Sequence, residues 1–409
     1  MAEDKPILNG LRVIDAATYI AGPSAAAILG DFGAEVIKIE RPPYGDPFRY
    51  LHQLAGMPEC DEPYPWIQDN RNKRSLALDL SLHQGREVAL RLVRRADVFI
   101  TNYQPPLLEK FRLRYEDLRE LNPRLVFASI TGYGETGEES AKPGYDMTAY
   151  FARSGLMDFL RNADAEPSLS PCGLGDHPSA MTMFAGIMMA LYRRQLSGEG
   201  SKVTTTLMAN GVWSHASLIQ GALMGARFRD RASRQRPHNP LVNHYQASDG
   251  QRFLLCLLDP LKDWDKLCTA MDRPDLLADG RFSTAPLRRE HSQELALLLD
   301  EEFTRRDMEE WERRFFAHDV LYGSVPSTQE VARDPRMVEQ GVFVDFEEMP
   351  IRTINSPLQV SGCRKVSPRT IPGIGEHTRE ILEELEYDDG EIEGLFSSGT
   401  IAQAGRGVT

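Results

Sequence analysis

Short apolar runs alternate with helix-periodic stretches through the first third of the chain. Residues 11–16 (LRVIDA) form an apolar run, Pro23 opens an Ala-rich stretch through Leu29, and residues 34–40 (AEVIKIE) alternate as a strand does. Residues 75–80 predict a further strand, and 83–95 a helix with Val88, Leu90, Leu92 and Val93 as its apolar positions. Two more buried strands are predicted over 97–102 (DVFITN) and 125–131 (LVFASIT). This alternation predicts an α/β domain, a mostly parallel sheet with helices on both faces.

Pro178 opens a strongly apolar helix (Met181, Phe184, Ile187, Met188, Leu191) that ends at Gly198, with Arg193 and Arg194 in its last turn. Residues 202–207 then predict a strand and 208–223 a helix. The arginine-rich stretch 227–239 (RFRDRASRQRPHN) breaks the pattern and reads as a linker or loop. Beyond it, a strand over 253–258 and helices over 264–271, 292–304 and 307–318 predict a smaller α+β domain. Glu376 or Thr378 is the expected cap of a last helix over 379–385 that packs back on the main domain. The expected division is a large domain over 1–225, a linker over 226–244, a small domain over 245–335 and a return segment over 336–409.

The chain has 409 residues, 41% of them hydrophobic and 26% charged, the balance of a globular protein. A net charge of −13 argues against nucleic-acid binding, which needs clustered cations. The apolar stretch 183–192 is about half the roughly 20 residues that span a membrane, and the N-terminus lacks the basic start and apolar run of a leader. Five scattered cysteines (Cys60, Cys172, Cys256, Cys268, Cys363) without a Cys-x-x-Cys pair fit reduced thiols. A cytoplasmic protein without membrane or nucleic-acid partners is expected.

Gly132-x-Gly134-x-x-Gly137 follows a strand, as a dinucleotide fingerprint does. The residues after it, Glu138, Glu139, Ser140, Ala141, Lys142 and Pro143, are polar, acidic and closed by proline, so no nicotinamide or flavin site is expected there. His177, His215, His238 and His244 lack metal-ligand spacing, and neither a Gly-x-Ser-x-Gly elbow nor a P-loop is present. Asp176, between Gly175 and the His177-Pro178 pair, fits a structural N-cap. It also fits a carboxylate nucleophile beside a glycine where an acyl group can approach the backbone, and the two readings are compatible. Arg41, the cluster 70–74 (NRNKR) and Lys110 lie near strand ends, where α/β sheets bind anionic nucleotides; alone, each reads as a solvated loop charge.

Several segments together resemble the family III CoA-transferases, the formyl-CoA transferase and carnitine CoA-transferase group that also contains α-methylacyl-CoA racemases. These are residues 8–15 (LNGLRVID), 21–23 (AGP), 32–42 (FGAEVIKIERP), 72–75 (NKRS) with Leu78 and Asp79, 96–98 (ADV) with Asn102 and Tyr103, 121–125 (LNPRL) with 131–134 (TGYG), and 375–378 (GEHT) with 385–388 (LEYD). The resemblance spans nearly the whole chain. It implies a Rossmann-like large domain beside the smaller one and an interlocked dimer, either a homodimer or a heteromer with a homologous subunit.

It also implies the chemistry. Asp176 matches the family's catalytic aspartate, which carries a covalent aspartyl-CoA thioester between an acyl-CoA donor, such as succinyl-CoA, and a small carboxylic acid. Arg41 matches an arginine near the CoA nucleotide, and Lys110 falls where relatives place an arginine. Leu78, Asp79, Leu80 and Ser81, and likewise Asn102, Tyr103 and Gln104, match stretches that line CoA, while Tyr145 matches a tyrosine beside the active site. Racemases carry a histidine where Tyr145 stands, and tyrosine, with a pKa near 10, is a poor base there, which favours transfer over racemisation. A CoA-binding subunit without turnover is the third alternative. No metal is expected. The family's glycine-rich loop is missing, and the arginines of 227–239, Arg234 and Arg236 among them, are candidates to receive an acidic acceptor.

Overall fold

The computed structural model describes residues 5–163, 165–259 and 261–404. Residues 1–4 and 405–409, the latter the end of the expected return segment, lie outside the described residues.

Six parallel strands frame the chain: β1 (Arg12–Asp15), β2 (Glu35–Glu40), β3 (Arg74–Leu78), β4 (Val98–Thr101), β5 (Val126–Thr131) and β6 (Ser201–Thr206). Their spatial order is β3-β2-β1-β4-β5-β6, and a two-residue strand, Ile401–Ala402, adds to β3 antiparallel. Register follows the apolar pattern. Val13 lies beside Val36 and Val98, and Val98 beside Val126; all four face one side. Ile14, Ile37, Phe99 and Phe127 face the other. Strands buried on both faces are apolar throughout, as the 97–102 and 125–131 runs are.

Helix α1 (Ala21–Asp31) covers the first face together with the long helix Asp176–Ser197. Alanines let these two lie close: Ala25, Ala26 and Ala180 are fully buried. Helices α2 (His83–Arg94) and Thr378–Glu384 cover the second face. The strand order runs outward from β1 in one direction and from β4 in the other. The crevice at their C-terminal ends is therefore a topological switch point, where such sheets bind ligands.

The chain divides into two compact units. One holds the residues up to Phe159, Leu169–Met224 and those from Val338 onward; the other holds Leu160–Ser168 and Gly225–Met337. The second has an antiparallel sheet of β7 (Val242–Gln246), β8 (Arg252–Cys256) and β9 (Tyr322–Ser324), with helices Lys262–Ala270, Ser292–Phe303 and Met308–Ala317 around an aromatic core. β7 starts inside the stretch expected as a linker.

Two local expectations are corrected. Thr378 does not cap the return helix Thr378–Glu384, which a further helix, Asp389–Ser397, follows: Thr378 is the first helical residue, its hydroxyl accepts from the Ala77 amide at 3.2 Å and donates to the Ala402 carbonyl at 2.8 Å, and this ties the helix to β3. The region 208–223 is two helices, Leu207–Ser214 and Ala216–Leu223, broken at His215.

Candidate active site

The switch point is fastened by side-chain bonds to backbone. The Thr18 amide donates to Asn102 Oδ1 at 3.0 Å, and Asn102 Nδ2 donates back to the Thr18 carbonyl at 2.7 Å. Asn102 thus bridges the loops that leave β1 and β4. Beneath them lies a buried ionic cluster. Lys38 meets Asp46 at 2.9 Å and Asp15 at 3.6 Å, and Lys73 meets Asp15 at 2.9 Å, all fully or almost fully buried. Burial opposes the charge on Lys38, yet Asp15 and Asp46 outweigh it and hold the ammonium well above its ordinary pKa. Burial dominates at Lys73, which is brought down to about 8 despite Asp15. Such pairs hold only with full hydrogen bonding, and Lys73 obtains it from the Pro23 carbonyl and Asn70 Oδ1, each at 2.8 Å.

Asp176 heads its helix as the first helical residue, after Gly175. It makes no side-chain capping bond, so the N-cap reading fails. Asp146 satisfies the helix start instead. It is buried and accepts from the Gly175 amide at 3.2 Å and from the Met147 amide at 2.7 Å. Gly175 is required by close approach, because a Cβ there would lie 2.5 Å from the Tyr150 ring. The half-buried Asp176 carboxyl is pushed up to about 7, first by burial and then by the Asp146 carboxylate, against the pull of His177. His177 Nε2 lies 3.2 Å from Asp69 and Nδ1 lies 3.0 Å from the Gly173 carbonyl. Burial works against its charge, but Asp69 prevails and raises it to about 9.

Two cavities meet at Thr18. The larger, about 400 Å³, is lined by Arg41, Leu78, Asp79, Leu80, Ser81, Tyr103 and Lys110, all expected from the sequence. The smaller, about 90 Å³, holds Asp176 with the remaining expected residues, Asn102, Gln104 and Tyr145. In the larger cavity Glu40 is paired with Arg49 at 2.7 Å, Asp46 with Lys38, and Asp79 accepts from the Ser81 amide at 2.8 Å. Arg41 and Lys110 have no ion-pair partner among the described residues, so the cavity carries cations available to an anion.

Sequence reasoning missed Tyr19, Asp146, Asp69 and His177. Tyr19 borders the Asp176 cavity, and its ring packs edge-on against Tyr145 with centroids 5.3 Å apart. Arg234 does not stand free for an acceptor: it is clamped to Asp300 and donates to the His244 carbonyl. A separate cavity of about 530 Å³ borders His177, Asp69 and Arg71 and does not include Asp176. Among the described residues, no group of three or more His, Cys, Asp or Glu is arranged to hold a metal, and no helix is long and apolar enough to cross a membrane.

The family model for CoA-transferase family III matches residues 8–378. The chain is 30% identical over 405 residues to the (R)-2-hydroxy-4-methylpentanoate CoA-transferase of Clostridioides difficile, a match covering 97% of this chain and 99% of that one. It is likewise 30% identical over 401 residues to the succinyl-CoA:glutarate CoA-transferase of Mus musculus, covering 97% and 90%. A solved structure of a CAIB/BAIF family protein from Brucella suis is similar with a TM-score of 0.82 at 28% identity, over 93% of this chain and 100% of that chain. A parallel α/β sheet with paired cavities at its switch point, matched from end to end by such relatives, identifies the chain as an enzyme that belongs to CoA-transferase family III.

Proposed function

We propose that the protein moves CoA from an acyl-CoA donor to a carboxylic acid through a covalent thioester on Asp176. One observation carries this reading: the Asp176 carboxyl, uncommitted to capping, borders a cavity that joins, at Thr18, the one lined by Arg41 and Lys110, which have no ion-pair partner among the described residues. The carboxylate attacks the thioester carbonyl, the C–S bond breaks, and CoA leaves as thiolate while an aspartyl–acyl anhydride forms. The thiolate then attacks the Asp176 carbonyl, which gives the aspartyl-CoA thioester and releases the donor acid as carboxylate. An acceptor carboxylate repeats both steps in reverse and restores Asp176. No electrons or protons are exchanged on balance, so the sequence of steps calls on neither a metal nor a redox cofactor. What the protein must do is position the groups and keep water from the anhydride.

Arg41 and Lys110 meet the CoA phosphates, Lys110 as a point charge without a bidentate fork. Leu78, Asp79, Leu80, Ser81 and Tyr103 line the path; Asn102, Gln104 and Tyr145 border its reactive end. Succinyl-CoA is the donor to try first, by analogy with the mouse relative. The working assembly is an interlocked dimer, homomeric or with a homologous subunit, in the cytoplasm. A purified chain that runs as a monomer while turning over would disprove the dimer.

The test is peptide mass spectrometry after incubation with succinyl-CoA and other acyl-CoAs, with hydroxylamine to trap an activated carboxyl. A hydroxamate on the Asp176 peptide, absent in Asp176→Asn, is expected. No adduct with any donor, despite CoA binding, would overturn the reading. Racemisation is the second reading, favoured by the Asp176 pKa near 7, which suits a general base. Deuterium entering the α-carbon without acid exchange would select it, and turnover by the chain alone would exclude a silent subunit.

A further inference from the structure

Tyr19 follows β1 at the switch point with a φ of 62°, in the left-handed region that bulky side chains rarely adopt. Such a conformation persists only where the surroundings over-determine it. Here the Tyr19 amide donates to Asp46 Oδ1 at 3.2 Å, and the other oxygen of Asp46 is locked to buried Lys38 at 2.9 Å. The restraint aims the ring into the Asp176 cavity. There it meets Tyr145 edge-on at 82°, and the Tyr145 hydroxyl donates to the Tyr19 hydroxyl at 3.4 Å. With that contact made, the hydroxyl proton of Tyr19 is left for an acceptor in the cavity. Burial and the contact with Tyr145 push the Tyr19 phenol up to about 12, so it stays a donor throughout the working range.

The rest of the cavity has the same character. At about 90 Å³ it is small, about three times the ~30 Å³ that one water occupies in the liquid. Gln104, Thr131 and Ser140 bring polar atoms to it, against the apolar Ile130 and Leu207. A long or aryl acyl group meets the tyrosine wall, whereas a short acid with an oxygen substituent finds a donor.

We infer that Tyr19 is the specificity-determining residue of the acyl site: with Tyr145 it admits short carboxylic acids that carry a hydroxyl or second carboxyl group and excludes aryl acids. This rests on the reading of Asp176 as the nucleophile. The full-length protein, Tyr19→Gly and Tyr19→Phe are compared as CoA-transferases with lactate, propionate, succinate and cinnamate as acceptors. Glycine suits a φ of 62°, so Tyr19→Gly removes the wall without backbone strain.

In Tyr19→Gly, kcat/KM for cinnamate relative to succinate is expected to rise at least tenfold, chiefly through KM for the acid, with KM for the CoA donor unchanged. In Tyr19→Phe the wall remains, cinnamate stays excluded, and the preference for lactate over propionate falls about tenfold. An active wild type whose acid ratios are the same in both variants overturns the inference alone. If Tyr19→Gly does not fold, the lactate-to-propionate ratio of Tyr19→Phe decides. A wild type that never traps an adduct at Asp176 overturns the nucleophile reading, and this inference with it.

Discussion

The larger unit closes the C-terminal edge of its sheet over charged side chains, whereas the smaller unit closes its sheet over aromatic rings. In the first, Asp15, Lys38, Asp46 and Lys73 are buried together beneath the loops that carry Tyr19 and Asn102. In the second, Phe253 and Phe303 meet at 4.9 Å and Phe303 and Trp311 at 5.1 Å, and the Trp311 indole N–H donates to the Phe303 carbonyl at 2.9 Å. Ring burial stabilises through area and tolerates small shifts. Buried ion pairs stabilise little on balance but demand one geometry. Charge is buried where backbone and side-chain positions must be held, and here that is the edge on which both cavities open.

That contrast can be tested at four places. Replacing Lys38 with Met strands the Asp46 carboxylate and leaves Asp15 to Lys73 alone, and we expect a loss of about 3–5 kcal/mol in urea unfolding together with weakened transfer, because Asp46 no longer fixes Tyr19. Phe303→Ala in the aromatic core costs a similar ~3–5 kcal/mol, but in protein that remains folded KM for the CoA donor stays as it was. An equal loss of transfer in the folded protein of both variants would erase the distinction.

The pH dependence follows next. A nucleophilic Asp176 must be ionised, and with its carboxyl near 7 the transfer rate falls about fiftyfold between pH 7 and pH 5. The stability sign is opposite. Because the folded value lies above the unfolded one, the native state holds the proton more tightly, and stability declines as pH rises from about 4 to about 7. Asp176→Asn should therefore raise Tm at pH 8 while abolishing transfer; a lower Tm would contradict the burial of this carboxyl. The smallest effect is that of Arg41→Ala. KM for the CoA donor rises roughly tenfold, about 1.4 kcal/mol, and the difference from wild type shrinks in high salt.

Much of this site is legible along the chain. Eight of the ten residues expected to meet CoA line the two joined cavities because they sit at or just after the ends of β2, β3 and β4, while Lys110 and Tyr145 reach them from farther along the chain, and strands betray themselves by apolar runs such as 97–102 and 125–131. Asp176 is visible as a carboxylate at a helix start, but its release from capping is not, since the group that replaces it, Asp146, lies 29 residues before the Gly175 amide it holds. Arg234 reads as a free loop cation and is clamped instead by Asp300, 66 residues on.

The sequence by itself determined the strand–helix alternation, the parallel sheet and the edge on which the cavities lie. Each follows from local periodicity, and each is a choice every few residues make with their neighbours. Tertiary structure alone decided the conformation of Tyr19, which depends on Asp46 and, through it, on Lys38. It also decided the proton affinity of Asp176, which depends on burial and on Asp146 and Asp69. Both rest on charges and donors brought together from distant parts of the chain, and electrostatic interaction depends on distance in space and on exclusion of water, neither of which is written in the order of residues.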